Sequence, residues 1–582
     1  ALFCLIPAAG QVLNGMSYMC NRWCFAAALA ACFAFSAVWE KLMAPEKEQK
    51  IFLFGTLLAL TILCLLLQPS RTAAAFCGIV VGAVFLLVTF LPGKMQVREL
   101  LCMLIAFAGI ICSNGFVQKD YAKEGLSVAE AQELLMVSEV ADIERVSQTS
   151  LGDGVVGSFL KSDRGDGGAG LFRYSGRYLT ENANLPRNLS SSNYYWTISN
   201  PYIAQNMKEM ELFETLLHHR TGYDDRTVMN TLAGVKYFAV PGNLPGCVPY
   251  DFIPVEQPAG PGQEASVSGY WIYENTHPLP LGYVYEKTVG REKWQTLSPV
   301  EKQETLLSAA YMPDCEEGKG EDDISCETKS VPCHMEAESG EVKIGENSFE
   351  VNAEGAGVIL SFSGVQDAET YVRIKGLVFE EPEKPLLQKL WEQPAVSADL
   401  SLESAGGILK VLTYYTPDYS WYNDRHDFCV NMGYEKEPAE KVILRFSRPG
   451  TYRFEDIEIL CQPFENYAEK AEALRAGGLR NLELQDNEIT AEATGKKGSV
   501  LVLAIPFAKG WKAYVDGKET KLHVANIKYM GLPLSEGEHS IRLVYKTPLL
   551  GLGFALSLAG WCLWILLGIT GRRKKEKSTA PT

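Results

Sequence analysis

Basic charge is in short supply in this chain of 582 residues. Lys and Arg number 54 against 70 Asp and Glu, a net charge of −16. Phosphate backbones are gripped by basic patches, so nucleic acid is excluded as a partner. Histidine is also scarce, with seven residues, and no His-Glu-x-x-His pattern occurs. No Ser, His, Asp order suggests a hydrolase, and Gly165-Asp166-Gly167-Gly168-Ala169-Gly170 leads into no helix opening with Lys-Ser or Lys-Thr. It reads as a loop. No charged segment precedes a short apolar core at the start, so no signal peptide is visible. The chain opens on Ala inside an uncharged stretch. It is therefore expected to be the C-terminal part of a longer protein.

Charge is missing altogether from residues 51–70, 72–93, 100–118 and 547–571. Each run approaches or exceeds the roughly 20 apolar residues that cross a bilayer core. Expected spans are Phe25–Leu42, Ile51–Gln68, Thr72–Pro92, Leu100–Val117 and Leu549–Ile569. The last precedes Gly571-Arg572-Arg573-Lys574-Lys575-Glu576-Lys577, whose positive excess predicts a cytoplasmic tail. Counting back places 118–548 outside, and the short basic loops between the earlier spans agree. The expected fold class is a multi-pass cell-membrane protein. It combines an α-helical transmembrane bundle of about five spans with a large extracytoplasmic α/β plus β-sandwich insert.

Pattern changes along the chain divide it further. Residues 1–117 are the C-terminal part of the membrane domain and 118–265 an α/β domain. Residues 266–329 supply connecting strands, the helix Ser298–Ala310 and an acidic loop. Period-two segments such as 357–362 and 441–446 predict a β-sandwich-like domain over 330–476. A small membrane-proximal β module follows at 477–548, with a turn at Asp516-Gly517-Lys518. The final span, 549–569, and the tail, 570–582, complete the division. Cys315, Cys326 and Cys333 match no zinc spacing and read as a disulfide or free thiols.

Several phrases, in order, resemble the bacterial membrane protein YfhO family. They begin with Asn14-Gly15-Met16-Ser17-Tyr18 and Asn21-Arg22-Trp23. Leu185-Pro186-Arg187, Tyr194-Tyr195-Trp196 and Asn200-Pro201-Tyr202 follow. Next come Tyr223-Asp224-Asp225-Arg226, Gly234-Val235-Lys236-Tyr237 and Leu279-Pro280-Leu281-Gly282-Tyr283. Last are the segment 297–304 and the most characteristic, Gly510-Trp511-Lys512-Ala513-Tyr514-Val515-Asp516-Gly517-Lys518. The resemblance implies a glycosyltransferase of the GT-C kind. Such an enzyme moves sugar from a polyprenyl-phosphate donor to an extracytoplasmic cell-wall polymer such as lipoteichoic acid. In GT-C enzymes the catalytic acid normally follows the first span, so this resemblance places catalysis upstream and no catalytic residue is assigned here.

Such chemistry needs a base, donors for the leaving phosphate and a groove at membrane level. Asn14, Asn21, Arg22 and Trp23 are candidates for the lipid phosphate, because Arg offers paired hydrogen bonds. An interfacial anchor is the competing reading. Tyr194, Trp196 and Asn200 are candidate glycan contacts, as are Trp421, Tyr422, Asn423, Arg425, His426 and Asp427. Aromatic faces stack on sugars and polar groups bond their hydroxyls, although aromatics pack sheets equally well. Asp224 and Arg226 suit acceptor or metal contact, with a helix N-cap before Thr227 as the alternative. A divalent cation is the candidate cofactor, and the need for a metal is left open. The expected partners are a polyprenyl-phosphate-linked sugar, a wall polymer and the lipid bilayer. A non-catalytic, membrane-anchored polysaccharide-binding or scaffold protein is the rival function, and a transporter a weaker third.

Overall fold

The computed structural model describes scattered positions between 29 and 104 and residues 172–578, apart from 178, 180, 183, 186–188, 215, 242–244, 256–269, 384, 386–393 and 420. Two compact units are present. One comprises Ala1–Asp142, Glu381–Ser397 and Tyr415–Tyr422; the other comprises Ile143–Glu380, Ala398–Tyr414 and Asn423–Thr582.

The expected α-helical transmembrane bundle is corrected by the structure. Strands predominate over helices among the described residues, and among them no helix is long and apolar enough to cross a membrane. The helices between 201 and 476 run only six to ten residues. At about 1.5 Å per residue these fall far short of a bilayer core of about 30 Å. The long helix Leu550–Ser578 is continuous, contains Gly551, Gly553 and Gly560, and runs on into the basic tail. The four earlier spans and the Gly-rich loop at 165–170 fall largely or wholly outside the described residues.

The second unit opens with a mixed sheet. Strands β1 (Arg173–Gly176), β2 (Ser190–Ser191) and β5 (Val235–Pro241) pair in parallel, while β6 (Phe252–Pro254) and β7 (Tyr270–Asn275) join antiparallel. Between β2 and β5 the chain forms β3 (Asn193–Tyr195), helix α1 (Pro201–Glu209), β4 (His219–Thr221) and helix α2 (Thr227–Leu232). Strand β8 (Gly282–Tyr285) pairs instead with Ser499–Pro506, more than 200 residues later. That strand also pairs with Tyr529–Leu534, so β8 is the edge of a four-stranded sheet.

The intervening chain is antiparallel β. One sheet orders Lys329–Val331, Asp456–Pro463, Ala368–Lys375 and Phe428–Glu435; another orders Cys333–Ala337, Gly357–Phe362, Lys441–Phe446, Ser397–Ser404 and Leu409–Tyr415. Alternation makes these sheets two-faced. In Glu488–Gly495 of the last sheet, Ile489, Ala491 and Ala493 are buried while Glu492 faces water. One core gathers Tyr283, Tyr285, Trp294, Val502 and Tyr529 with Met207 and Val228. Cys315, Cys326 and Cys333 are free thiols.

Candidate functional site

A cleft of about 520 Å³ opens in this unit, where β3, β4 and α1 meet the strand ends around Ala504 and Tyr529. Its geometry starts from strand register. Tyr194 of β3 stands directly opposite Arg220 of β4, so their side chains share one face. Trp196 continues from β3 as the pair ends, its N–H donating to the His218 carbonyl at 2.9 Å. Its ring is 57% exposed at the mouth, beside Leu185 and Ile198. Asn200 is the N-cap of α1: Oδ1 accepts from the Tyr202 N–H at 2.9 Å, and Nδ2 donates to the Phe507 carbonyl at 2.9 Å. Tyr194, Trp196 and Asn200 therefore line one cleft, with the Asn200 amide engaged by the backbone at both ends.

The cleft floor is cationic. Arg173, Arg220 and Lys528 line it, and none of its described lining residues is Asp or Glu. Arg173 donates to the carbonyls of Ala233 and Ala504, at 2.5 and 2.7 Å. Arg220 is 4% exposed, and its two terminal nitrogens have no hydrogen-bond partner among the described residues. Glu214 Oε2 forms an ion pair with one of them at 3.6 Å, beyond hydrogen-bond range. The Lys528 ammonium sits 4.3 Å from the centre of the Tyr223 ring and 5.1 Å from that of Tyr529.

Burial lowers the Lys528 pKa, Tyr223 works against that shift, and the charges of Arg220 and Arg173 add to it. Burial pushes the Tyr223 phenol up, but Lys528 and Arg173 outweigh it and leave its pKa below the ordinary phenol value. The Tyr529 phenol is raised well above that value, first by burial and then by Tyr223. Tyr223 and Lys528 thus form a buried pair in which the ammonium lies against the phenol ring.

Backbone strain surrounds the same pair. Asp224 and Asp225, immediately after Tyr223, both have φ of 56°; Asn526 and Ile527, immediately before Lys528, have 47° and 68°. A left-handed β-branched residue is unfavourable, so Ile527 is held by its neighbours. Asn526 Oδ1 accepts from the Tyr311 N–H, and the Asn526 N–H donates to the Tyr311 carbonyl, both at 2.9 Å.

The other predicted residues have different surroundings. Asp224 meets Lys410 Nζ and accepts the Asn431 N–H at 2.7 Å, while Asp225 pairs with Arg177 at 2.7 Å. Arg226 is fully buried and donates to the carbonyls of Met210 and Cys429. These charges bind elements together away from the cleft. Helix α2 is capped by neither aspartate: Glu369 Oε1 accepts the Thr227 N–H at 3.0 Å. Arg425 donates to the carbonyls of Met207, Leu212 and Glu214; His426 Nδ1 lies 2.8 Å from the Leu377 carbonyl, and Asp427 accepts the Gly376 N–H at 2.9 Å. Asn423 belongs to the same unit as these three and is half-buried. In the first unit, Trp421 is 46% exposed and meets Tyr419 edge-on at 5.3 Å, with Tyr422 half-buried nearby in sequence. Asn14, Asn21, Arg22 and Trp23 lie outside the described residues. Among the described residues no group of three His, Cys, Asp or Glu is placed to hold a metal ion.

Arg173, Arg220, Tyr223 and Lys528 carry no local sequence signal for a shared site. Tyr223 and Lys528 stand 305 positions apart, and only the fold unites them. Gly222 and Asp224, on either side of Tyr223, have φ of 105° and 56°.

Residues 1–557 match the family model described as "Bacterial membrane protein YfhO". A curated relative, the uncharacterized protein YfhO of Bacillus subtilis (strain 168), is 19% identical over 352 residues, 60% of this chain and 37% of that protein. The match thus spans little more than a third of the relative's length. Among solved structures, the C-terminal CBM6 of LamC, a marine laminarinase from Zobellia galactanivorans, is 8% identical. It covers 23% of this chain and 98% of that one, with a TM-score of 0.15. A mutant arabinofuranosyltransferase AftD from Mycobacteria is 12% identical, covering 32% of this chain and 14% of that one, with a TM-score of 0.14. Scores of this size establish no shared fold.

Proposed function

The chain belongs to the bacterial membrane protein YfhO family, and on that premise we propose that it is a glycosyltransferase-like membrane protein. In this reading it serves the transfer of sugar from a polyprenyl-phosphate donor to an extracytoplasmic wall polymer such as lipoteichoic acid. Residues 118–548 face outward and the basic tail faces the cytoplasm. The carrying observation is the cleft that brings Tyr194, Trp196 and Asn200 to one wall. Two aromatic rings beside hydroxyl and amide groups are what a sugar face and its hydroxyls require. No described lining residue is a carboxylate, so the cleft is assigned the holding of the acceptor. The transferring acid and the donor phosphate belong to the part of the enzyme nearer the N-terminus, with Asn14, Asn21, Arg22 and Trp23 proposed at the phosphate.

The same carboxylate-free lining favours the rival reading, a protein that binds polysaccharide without modifying it. Replacing Tyr194 and Trp196 by Ala at the chromosomal locus separates the two. The sugar content of extracted wall polymer is read by NMR and the protein level by immunoblot. Loss of one stacked anchor is worth at least about 1.4 kcal/mol, so sugar content should drop roughly tenfold at unchanged protein level. Unchanged sugar content with polymer shed from the surface would establish the binding protein instead.

A further inference from the structure

The cleft has a chemical preference that acceptor binding alone does not specify. Three cations line it and no described acid does, in a chain carrying 16 more acids than bases. Chance would place carboxylates there first. Arg220 is buried, its terminal nitrogens make no hydrogen bond to a described residue, and one of them is ion-paired with Glu214 at 3.6 Å, while Lys528 is buried against the Tyr223 and Tyr529 rings. A buried cation without a hydrogen-bonded counter-charge is costly, and mutual repulsion among the three raises that cost. Asn526 and Ile527, immediately before Lys528, are held in left-handed conformations, with Asn526 bonded to Tyr311. Glu214 offsets one of these charges, and the cleft lining still carries an excess of cations that an entering anion would balance.

We propose that the Arg220–Lys528 side of the cleft binds a phosphate ester. Phosphate presents several oxygens at once, which suits a guanidinium fork and an ammonium approaching from different elements, with the Ser191 and Ser192 backbone segment alongside. A lone carboxylate would be satisfied by Arg220 by itself. The apolar mouth, with Leu185, Trp196 and Ile198 exposed by 63, 57 and 80%, accommodates whatever carries the phosphate. That carrier is either a phosphodiester-linked polymer or a lipid headgroup. The proposal rests on the reading of this cleft as a ligand site and adds the charge of its ligand.

The test uses the full chain in nanodiscs of neutral lipid, titrated by calorimetry with glycerol 3-phosphate and hexyl phosphate. Glycerol and hexanol are the neutral controls. Both phosphates should bind, the neutral compounds should not, and rising salt should weaken binding. Arg220→Gln should weaken it about tenfold or more at an unchanged melting temperature, since a hydrogen bond to a charged group is lost. Lys528→Gln provides the second variant if Arg220→Gln fails to fold. Tighter binding of hexyl phosphate identifies a lipid headgroup, and equal binding a polymer phosphodiester. The proposal is overturned if glycerol and hexanol match the phosphates, or if the folded variants bind like the parent chain. Neutral oligosaccharide binding that depends on Trp196 but ignores phosphate would overturn it while leaving the acceptor reading intact.

Discussion

A single side chain in this protein takes its ionisation from partners that the fold delivers. His539 Nδ1 lies 2.8 Å from Asp516 Oδ2, and Nε2 lies 3.1 Å from Ser535 Oγ. The bond to Asp516 raises the His539 pKa, against the smaller effect of burial. The same bond, with the Ser540 N–H, lowers that of Asp516. The histidine's contribution to stability is full below its unfolded pKa of about 6.5 and is lost as pH rises through its higher folded value. The aspartate's contribution is present above about 3.9 and is lost as pH falls through its lower folded value. Both operate together between about pH 4 and 6.5. His539→Gln should therefore lower the melting temperature most near pH 5, with the deficit shrinking above pH 7. A deficit constant from pH 4 to 8 would show that the pair contributes nothing. Residues of the cleft divide along the same line. Tyr194, Trp196 and Asn200 stand close in sequence and were legible as an aromatic-polar cluster. Lys528 was not, because its meaning comes from Tyr223 and Arg220, and no local pattern links them.

Elements whose determinants are local follow the sequence closely. Asp516 and Gly517 have φ of 52° and 79°, the two left-handed residues of a tight hairpin turn, and Val515 pairs with Lys518 across it. Ser298 opens the helix Pro299–Thr305 with a capping box. Its hydroxyl accepts the Glu301 N–H at 3.3 Å, and Glu301 Oε2 accepts the Ser298 N–H at 2.8 Å. Ser298→Ala should cost about 1 kcal/mol, read from chemical denaturation, with Ser298→Asp retaining most of it. No change in the unfolding midpoint for the Ala variant would remove the cap from the account. The helix end was less legible. The expected continuation to Ala310 stops at Thr305, because Ala310–Tyr311 leaves to pair in parallel with Thr288–Val289. Helix α2 makes the same point at its start, where Glu369, 142 positions away, accepts the N–H that Asp224 or Asp225 was expected to take. Caps and turns written in four residues can be read, whereas strand pairing and caps supplied across the chain depend on the assembled fold.

At the scale of the molecule, charge-free runs pointed to helical spans, while the described residues hold a β-rich body sewn by long-range pairs. The longest-range strand pairing among the described residues is that of β8. Tyr283 pairs with Val502 and Val284 with Leu501, the Ala504 N–H donates to the Leu281 carbonyl at 2.7 Å, and the Leu479 N–H donates to the Gly282 carbonyl at 3.0 Å. Val502 is fully buried with a strand on either side, facing Tyr283 on one and Gly531 on the other. Proline there removes a ladder donor from a central strand, where only edges tolerate it. Val502→Pro should cost on the order of 3 kcal/mol or more, among the larger effects of single substitutions. The pattern of loss tests the stitch more sharply than its size. Hydrogen exchange should accelerate together in 282–285, 499–503 and 529–534, because these strands share one sheet and one core with Trp294 and Tyr529. The sheet containing 357–362 and 441–446 draws its bonds from other strands and should keep its protection. If 499–503 alone lost protection, the sheet would not act as one cooperative unit. The cleft makes that cooperativity functional, since Ala504, Lys528 and Tyr529 reach it from the same sheet and the turn that feeds it. Val502→Pro should then abolish ligand binding in the cleft without touching a lining residue.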